Sequence, residues 1–240
     1  MFVFIGAHYD DVIGSCAGRI ALLRRNGEAV KAVTVFGGKY DKPLSPFAIE
    51  LHQMWGLRNV VEERKIENAT ACEVLDVLPV DYDFQEAIYR TVAGRHLYPN
   101  DGDIFTNIVK EDEELIERIA LHITNDYSLN DELYFPIGRG NHVDHLILKK
   151  CGEALSSRGY KIHYYDDFYY EGEVEMDPSY EKEKISFSLE CMQEKVESFS
   201  KYSSQIPMLF GDLEKMSLYF QSINDYGGYY EVYYRRRKKH

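Results

Sequence analysis

The chain has no CxxC pair, no long apolar run and no excess of positive charge, and each absence removes a class of protein. Four cysteines (Cys16, Cys72, Cys151, Cys191) stand singly along 240 residues, so neither a cysteine zinc site nor a disulfide framework is expected. Each falls in a stretch with helical spacing, where a small buried apolar residue is the ordinary use. No segment reaches the roughly 18 apolar residues of a membrane span. Phe2 to Ala7 is too short for a secretory signal core and has no basic leader, so a cytoplasmic location is expected. With 28 basic against 40 acidic residues the formal charge is −12; such a surface repels phosphate backbones and makes nucleic acid a poor partner. The one basic run, Arg235 to Lys239, reads as a solvated terminal tail. GxGxxG, P-loop, HExxH and GxSxG patterns are all missing, which removes the dinucleotide, P-loop and serine-hydrolase routes.

What is present reads as alternating strands and helices. Phe2-Val-Phe-Ile-Gly-Ala7 is a short, continuously apolar run suited to a central parallel strand. Ile13, Ala17, Ile20 and Leu23 recur at helical spacing up to Gly27, and Ala29 to Phe36 is a second apolar run, which together make a right-handed βαβ unit. Ser45-Pro46 opens a helix, Val60 to Glu73 is another, and Leu75 to Val80 is a third strand. Helix Glu111–Ile123, strand Glu132–Ile137, loop Gly138–His142 and helix Val143–Leu155 follow. Thirteen of the twenty tyrosines fall from Tyr160 onward, which predicts twisted strands and a partly exposed groove, with a helix over Met192–Tyr202. The expected architecture is one α/β domain over 1–240, with a mostly parallel sheet and its site at the carboxyl ends of the strands.

Two motifs sit at predicted strand ends. In Ala7-His8-Tyr9-Asp10-Asp11, adjacent carboxylates and an imidazole leave a buried strand. Like charges tolerate this crowding when a cation lies among them, although an Asp pair here also serves simply to cap the next helix. In His142-Val143-Asp144-His145, two histidines three apart begin a helix, and Asp144 is placed to orient one imidazole. Together they offer two imidazoles and a carboxylate for a metal, with an aspartate and a histidine to spare for acid–base and electrophilic work.

These motifs resemble those of the PIG-L/LmbE family of zinc-dependent de-N-acetylases, whose first motif is Ala-His-Pro-Asp-Asp-Glu and whose second is His-Pro-Asp-His. Val33 to Gly38 is similar to the family's second strand and glycine turn, and Lys195 to Gln205 to a late helix of bacterial members. Tyr9 stands where the family has Pro and Val12 where it has Glu, which marks a divergent branch. The resemblance implies a Rossmann-like three-layer fold and zinc, with iron(II) as the alternative ion, on His8, Asp11 and His145. It implies Asp10 as general base, His142 as partner to the oxyanion or leaving amine, and Asp144 as the group orienting His142. The implied reaction removes an acetyl group from an N-acetylated amino sugar or glycoconjugate.

Two other functions fit parts of the pattern. Two histidines and a carboxylate also describe the facial triad of non-haem iron oxygenases, and a binding module can keep a fold without its chemistry. Asp83, Glu86 and Arg90 read as a solvated loop face, and Tyr164, Tyr165, Tyr169 and Tyr170 as strand and interface residues rather than sugar-stacking rings.

Overall fold

The apolar opening run becomes the central strand. In the computed structural model, which describes residues 1–174, 176–226 and 228–237, β1 (Phe2–Gly6) sends Phe4 into one core and Val3 and Ile5 into another. A strand apolar on both faces needs a sheet covered on both faces. α1 (Asp11–Arg25) ends at Gly27, whose φ of 79° is the left-handed geometry that favours glycine after a helix. β2 (Val30–Thr34) then runs parallel to β1, with Val30 opposite Phe2, giving the predicted βαβ unit.

α2 (Pro46–Trp55) starts where the Ala48 N–H donates to the Ser45 hydroxyl and Pro46 takes the first helical position. α3 (Val60–Val74) leads to β3 (Leu78–Asp81), which begins later than the sequence predicts because the chain first turns through Asp76 at φ 51°. A two-stranded hairpin, β4 (Thr91–Val92) and β5 (Arg95–His96), stands off the main sheet. α4 (Glu113–Asp126), β6 (Glu132–Pro136), α5 (Val143–Ser157) and β7 (Lys161–Tyr165) follow as expected. The remainder comprises β8 (Tyr180–Phe187), α6 (Leu189–Phe199), α7 (Ile206–Leu209), α8 (Leu213–Ser222), β9 (Asn224–Asp225) and β10 (Gly228–Arg236).

The sheet runs β3-β2-β1-β6-β7-β10-β8, with β9 on β10. Its first five strands are parallel, and β10 lies antiparallel to both β7 and β8. α1, α3, α6 and α8 cover one face and α4 and α5 the other, so the three-layer α/β expectation holds. The chain steps outward from β1 to β3 and then returns to place β6 beside β1. That reversal leaves a crevice at the carboxyl ends of β1 and β6, where open parallel sheets bind ligands. Both motifs emerge there. A third apolar cluster, including Trp55, Tyr89, Tyr98 and Ile104, packs at this end of the sheet.

Two expectations for the last third are corrected. Tyr202 and Tyr233 are core residues rather than lining for an exposed groove; Tyr164 and Tyr165, expected in a strand, are buried in β7, and Tyr165 donates through its hydroxyl to the Ile5 carbonyl at 2.9 Å. Arg235 and Arg236 belong to β10, and Arg235 Nε lies 3.3 Å from both Glu181 and Glu183, so this part of the basic run is paired strand and not tail. Lys238 and Lys239 lie outside the described residues. No helix among the described residues is long and apolar enough to cross a membrane.

Candidate metal centre

His8 leaves the carboxyl end of β1, Asp11 opens α1 and His145 lies in the first turn of α5. All three are almost wholly buried, and their ligand atoms converge. Asp11 Oδ2 is 3.5 Å from His8 Nδ1 and 3.3 Å from His145 Nε2. Bonds of about 2.0–2.1 Å at tetrahedral angles put ligand atoms about 3.3–3.4 Å apart. His145 Nε2 is buried and, though close to Asp11, is misaligned for a hydrogen bond and has no partner. An orphaned imidazole nitrogen beside a carboxylate is a donor set that fits a divalent cation.

Each of the two histidines has its other nitrogen on a carboxylate. Asp167 Oδ1 is 2.5 Å from His145 Nδ1, and Asp144 Oδ2 is 3.1 Å from His8 Nε2. This fixes both tautomers, with Nε2 of His145 and Nδ1 of His8 left to face Asp11. Asp144 is the point of difference from the sequence reading. Its carboxylate does not orient His142; besides His8 it accepts the Ala87 N–H at 3.0 Å and Arg90 Nη1 at 2.6 Å. His142 instead meets only the backbone of that residue, its Nδ1 accepting the Asp144 N–H at 3.2 Å as the cap of α5. Asp144 is fully buried, and its carboxylate is taken up by His8, Ala87 and Arg90. A second convergent grouping, His8 with His142 and Asp144, shares His8 with the first.

Electrostatics follow the pairings. Burial opposes charge on His145, but Asp11 and Asp167 outweigh it and raise its pKa well above the ordinary value. Burial likewise works against the Asp11 and Asp144 carboxylates, yet His145 and His8 hold Asp11 low, and Arg90 with His8 holds Asp144 low. Asp10 moves the other way, pushed up by burial and by the charge of Asp11. It occupies the cap position of α1 without a side-chain capping bond, so simple helix capping does not account for it. His142 is pushed well down by burial and by His8, and with Nδ1 accepting, its proton sits on Nε2.

Asp10, Asp11, His8 and His142 line one cavity of about 170 Å³. Neither departure from the family motif disturbs this floor. Val12 packs in the core beneath β1, and Tyr9 is buried with its hydroxyl donating to the Gly37 carbonyl at 3.3 Å. The Tyr202 hydroxyl donates to the Tyr9 carbonyl at 2.9 Å and so pins the motif loop from the late helical region.

Several site residues were not anticipated. Arg90 is buried, joining Asp144 to Asp112 (Nε to Oδ2, 2.7 Å), and Glu86 Oε1 lies 3.6 Å from His8 Nε2, so the solvated-loop expectation fails for both. Asp83 does not join them; its backbone bridges to Phe36. Arg64 is buried between Glu86 (3.2 Å) and Asp10 (3.7 Å), with Trp55 under its guanidinium. Asp167 lies two residues past β7, a strand-end position like that of the other acids of the site, and that placement was the available signal. Tyr169 and Tyr170 were expected in strands but lie outside any strand and line the cavity, whereas Tyr164 and Tyr165 are strand core as expected.

The fold and this centre define an α/β protein with a donor set suited to a divalent ion at the carboxyl edge of its sheet. A model of the GlcNAc-PI de-N-acetylase family, PIG-L, matches residues 3–156, and the chain belongs to that family. It is 32% identical over 185 residues to the 2'-N-acetylparomamine deacetylase of Niallia circulans, covering 70% of this chain and 67% of that one. Its fold matches a zinc-inhibited form of a teicoplanin deacetylase with a TM-score of 0.82 at 23% identity, over 100% of this chain and 99% of the other. A 4-carboxy-2-hydroxymuconate hydratase from Pseudomonas putida shares the fold at a TM-score of 0.61 and 11% identity, over 99% and 98% of the two chains. Architecture alone therefore spans more than one chemistry, and the function has to be argued from the site.

Proposed function

We propose that the protein is a metal-dependent N-deacetylase that hydrolyses the acetamide of an N-acetylated amino sugar or a conjugate bearing one. The observation that carries this reading is the division of labour at the cavity floor. Three convergent ligand atoms, with both imidazoles braced by carboxylates, lie beside one carboxylate, Asp10, and one imidazole, His142, that stand outside this ligand set. His8, Asp11 and His145 would hold zinc or iron(II). When bound, the ion polarises the amide carbonyl and lowers the pKa of water to about 7.

The chain's own groups account for the remaining steps. Asp10 takes the proton from the water that attacks the amide carbon, and its raised pKa makes it a better base than an ordinary carboxylate. His142, neutral and protonated on Nε2, donates to the developing oxyanion. Asp10 then returns its proton to the nitrogen as the C–N bond breaks, releasing acetate and a free amine. Asp144 and Asp167 act through His8 and His145 by fixing their rings. All four cysteines are buried and none lines the cavity, so no thiol is placed to form an acyl-enzyme. The relatives' names favour the same substrate class, since one acts on an N-acetylated paromamine and another on teicoplanin chemistry.

The test is acetate release from a panel of N-acetylated amino sugars, before and after chelation and after reloading with zinc or iron(II). Metal-dependent release supports the proposal. Release untouched by full chelation, or none from any loaded form, contradicts it.

A further inference from the structure

The cavity changes character between floor and mouth. Its floor is ionic, but its wall is apolar and comes from four separate stretches of chain. α2 gives Phe47 and Trp55, the 3-10 turn before Thr106 gives Phe105, the segment after β7 gives Tyr169, and α7 gives Met208. Phe105, Tyr169 and Met208 remain 38%, 46% and 39% exposed, so large apolar groups are left in water around the mouth. Tyr169 has a φ of 65°, a costly conformation for a bulky side chain, and the chain holds it there at the rim. Apart from tyrosine hydroxyls, Asp101 and Gln205 are the polar groups of this wall among the described residues.

We propose that the wall is an aglycone subsite, and that the N-acetylated sugar cleaved at the floor carries an uncharged, flat apolar group. The proposal rests on the deacetylase reading above and names the substrate class for the same cavity. Its occupant follows from continuity. A molecule whose amide sits at the floor has to extend past these rings to reach solvent. Charge separates the candidates. A polycationic aminoglycoside calls for several carboxylates along the wall, and the wall offers Asp101 alone; Glu86 at the floor is already paired with Arg64. Aromatic rings facing the mouth instead suit a ring stacked on them.

The experiment compares kcat/KM for a 4-nitrophenyl N-acetylglucosaminide, its methyl counterpart and an N-acetylated aminoglycoside with free amines. The wild type is expected to favour the aryl glycoside over the methyl glycoside by about tenfold or more. Phe105→Ser and Met208→Ser should lower that ratio to about threefold or less. Because both efficiencies come from one variant, losses of folding or metal cancel in the ratio. Equal efficiency on aryl and methyl glycosides, or preference for the polycation, overturns the subsite and leaves deacetylation standing. If no acetate is released from any of them, the deacetylase reading fails, and the subsite is then read by binding. Trp55 is the sole tryptophan and lines the cavity, so its fluorescence should respond to the aryl glycoside at about tenfold lower concentration than to the methyl one. An equal response overturns the subsite on its own.

Discussion

Asp167 Oδ1 lies 2.5 Å from His145 Nδ1, and both side chains are buried. A carboxylate on the far nitrogen raises the basicity of an imidazole ligand and fixes its ring. Asp167→Asn keeps the shape and loses the charge. It is expected to weaken zinc binding by about 10–100-fold, measured by competition with a chromophoric chelator, with the melting temperature little changed. Undiminished affinity would remove Asp167 from the account.

Arg90 carries a structural prediction. Its guanidinium joins the buried carboxylates of Asp112 and Asp144, and burial of all three is tolerable only while they compensate one another. Arg90→Met leaves two buried carboxylates facing apolar surface and should cost about 3–5 kcal/mol in urea unfolding. A loss below about 1 kcal/mol, the usual worth of a surface pair, would contradict this.

Glu132 gives a pH dependence away from the cavity. Its hydrogen bond to His163 is the main cause of a pKa lowered from 4.5, with burial opposing it. A depressed carboxylate pKa means the unfolded chain binds more protons, so the stabilisation is present above 4.5 and lost as pH falls through the lower folded value. Glu132→Gln should therefore be less stable than wild type near neutral pH, and the difference in urea midpoint should shrink in acid. A difference that stays constant from about pH 6 to about pH 3.5 would show that charge is not its source.

The candidate ligand set was legible because its residues are clustered in sequence. His8 with Asp11 and His142 with His145 are local patterns, and each follows an apolar run recognisable as a strand. The parallel core was legible for the same reason. Partnerships made by tertiary contact were not. Asp144 looks from its neighbours like a support for His142, whereas the contact that orients it is to His8, 136 residues away. Glu86 and Arg90 look like loop charges until Arg64, Asp112 and Asp144 are seen around them. Tyrosine content gave strands correctly, but which tyrosines are buried depends on β10 folding back between β7 and β8.

The central claim divides two adjacent aspartates, with Asp11 on the metal and Asp10 on the proton. Metal per chain and turnover, measured together on Asp10→Asn and Asp11→Asn, test it most directly. Asp10→Asn is predicted to retain about one divalent ion per chain while kcat falls by about 10²–10⁴ with KM little changed. Asp11→Asn is predicted to lose metal and to recover partly with excess ion, because an amide is a poorer ligand than a carboxylate. If Asp10→Asn loses the metal and Asp11→Asn keeps it, ligand and base have been exchanged. If both variants keep metal and full activity, the active site lies elsewhere.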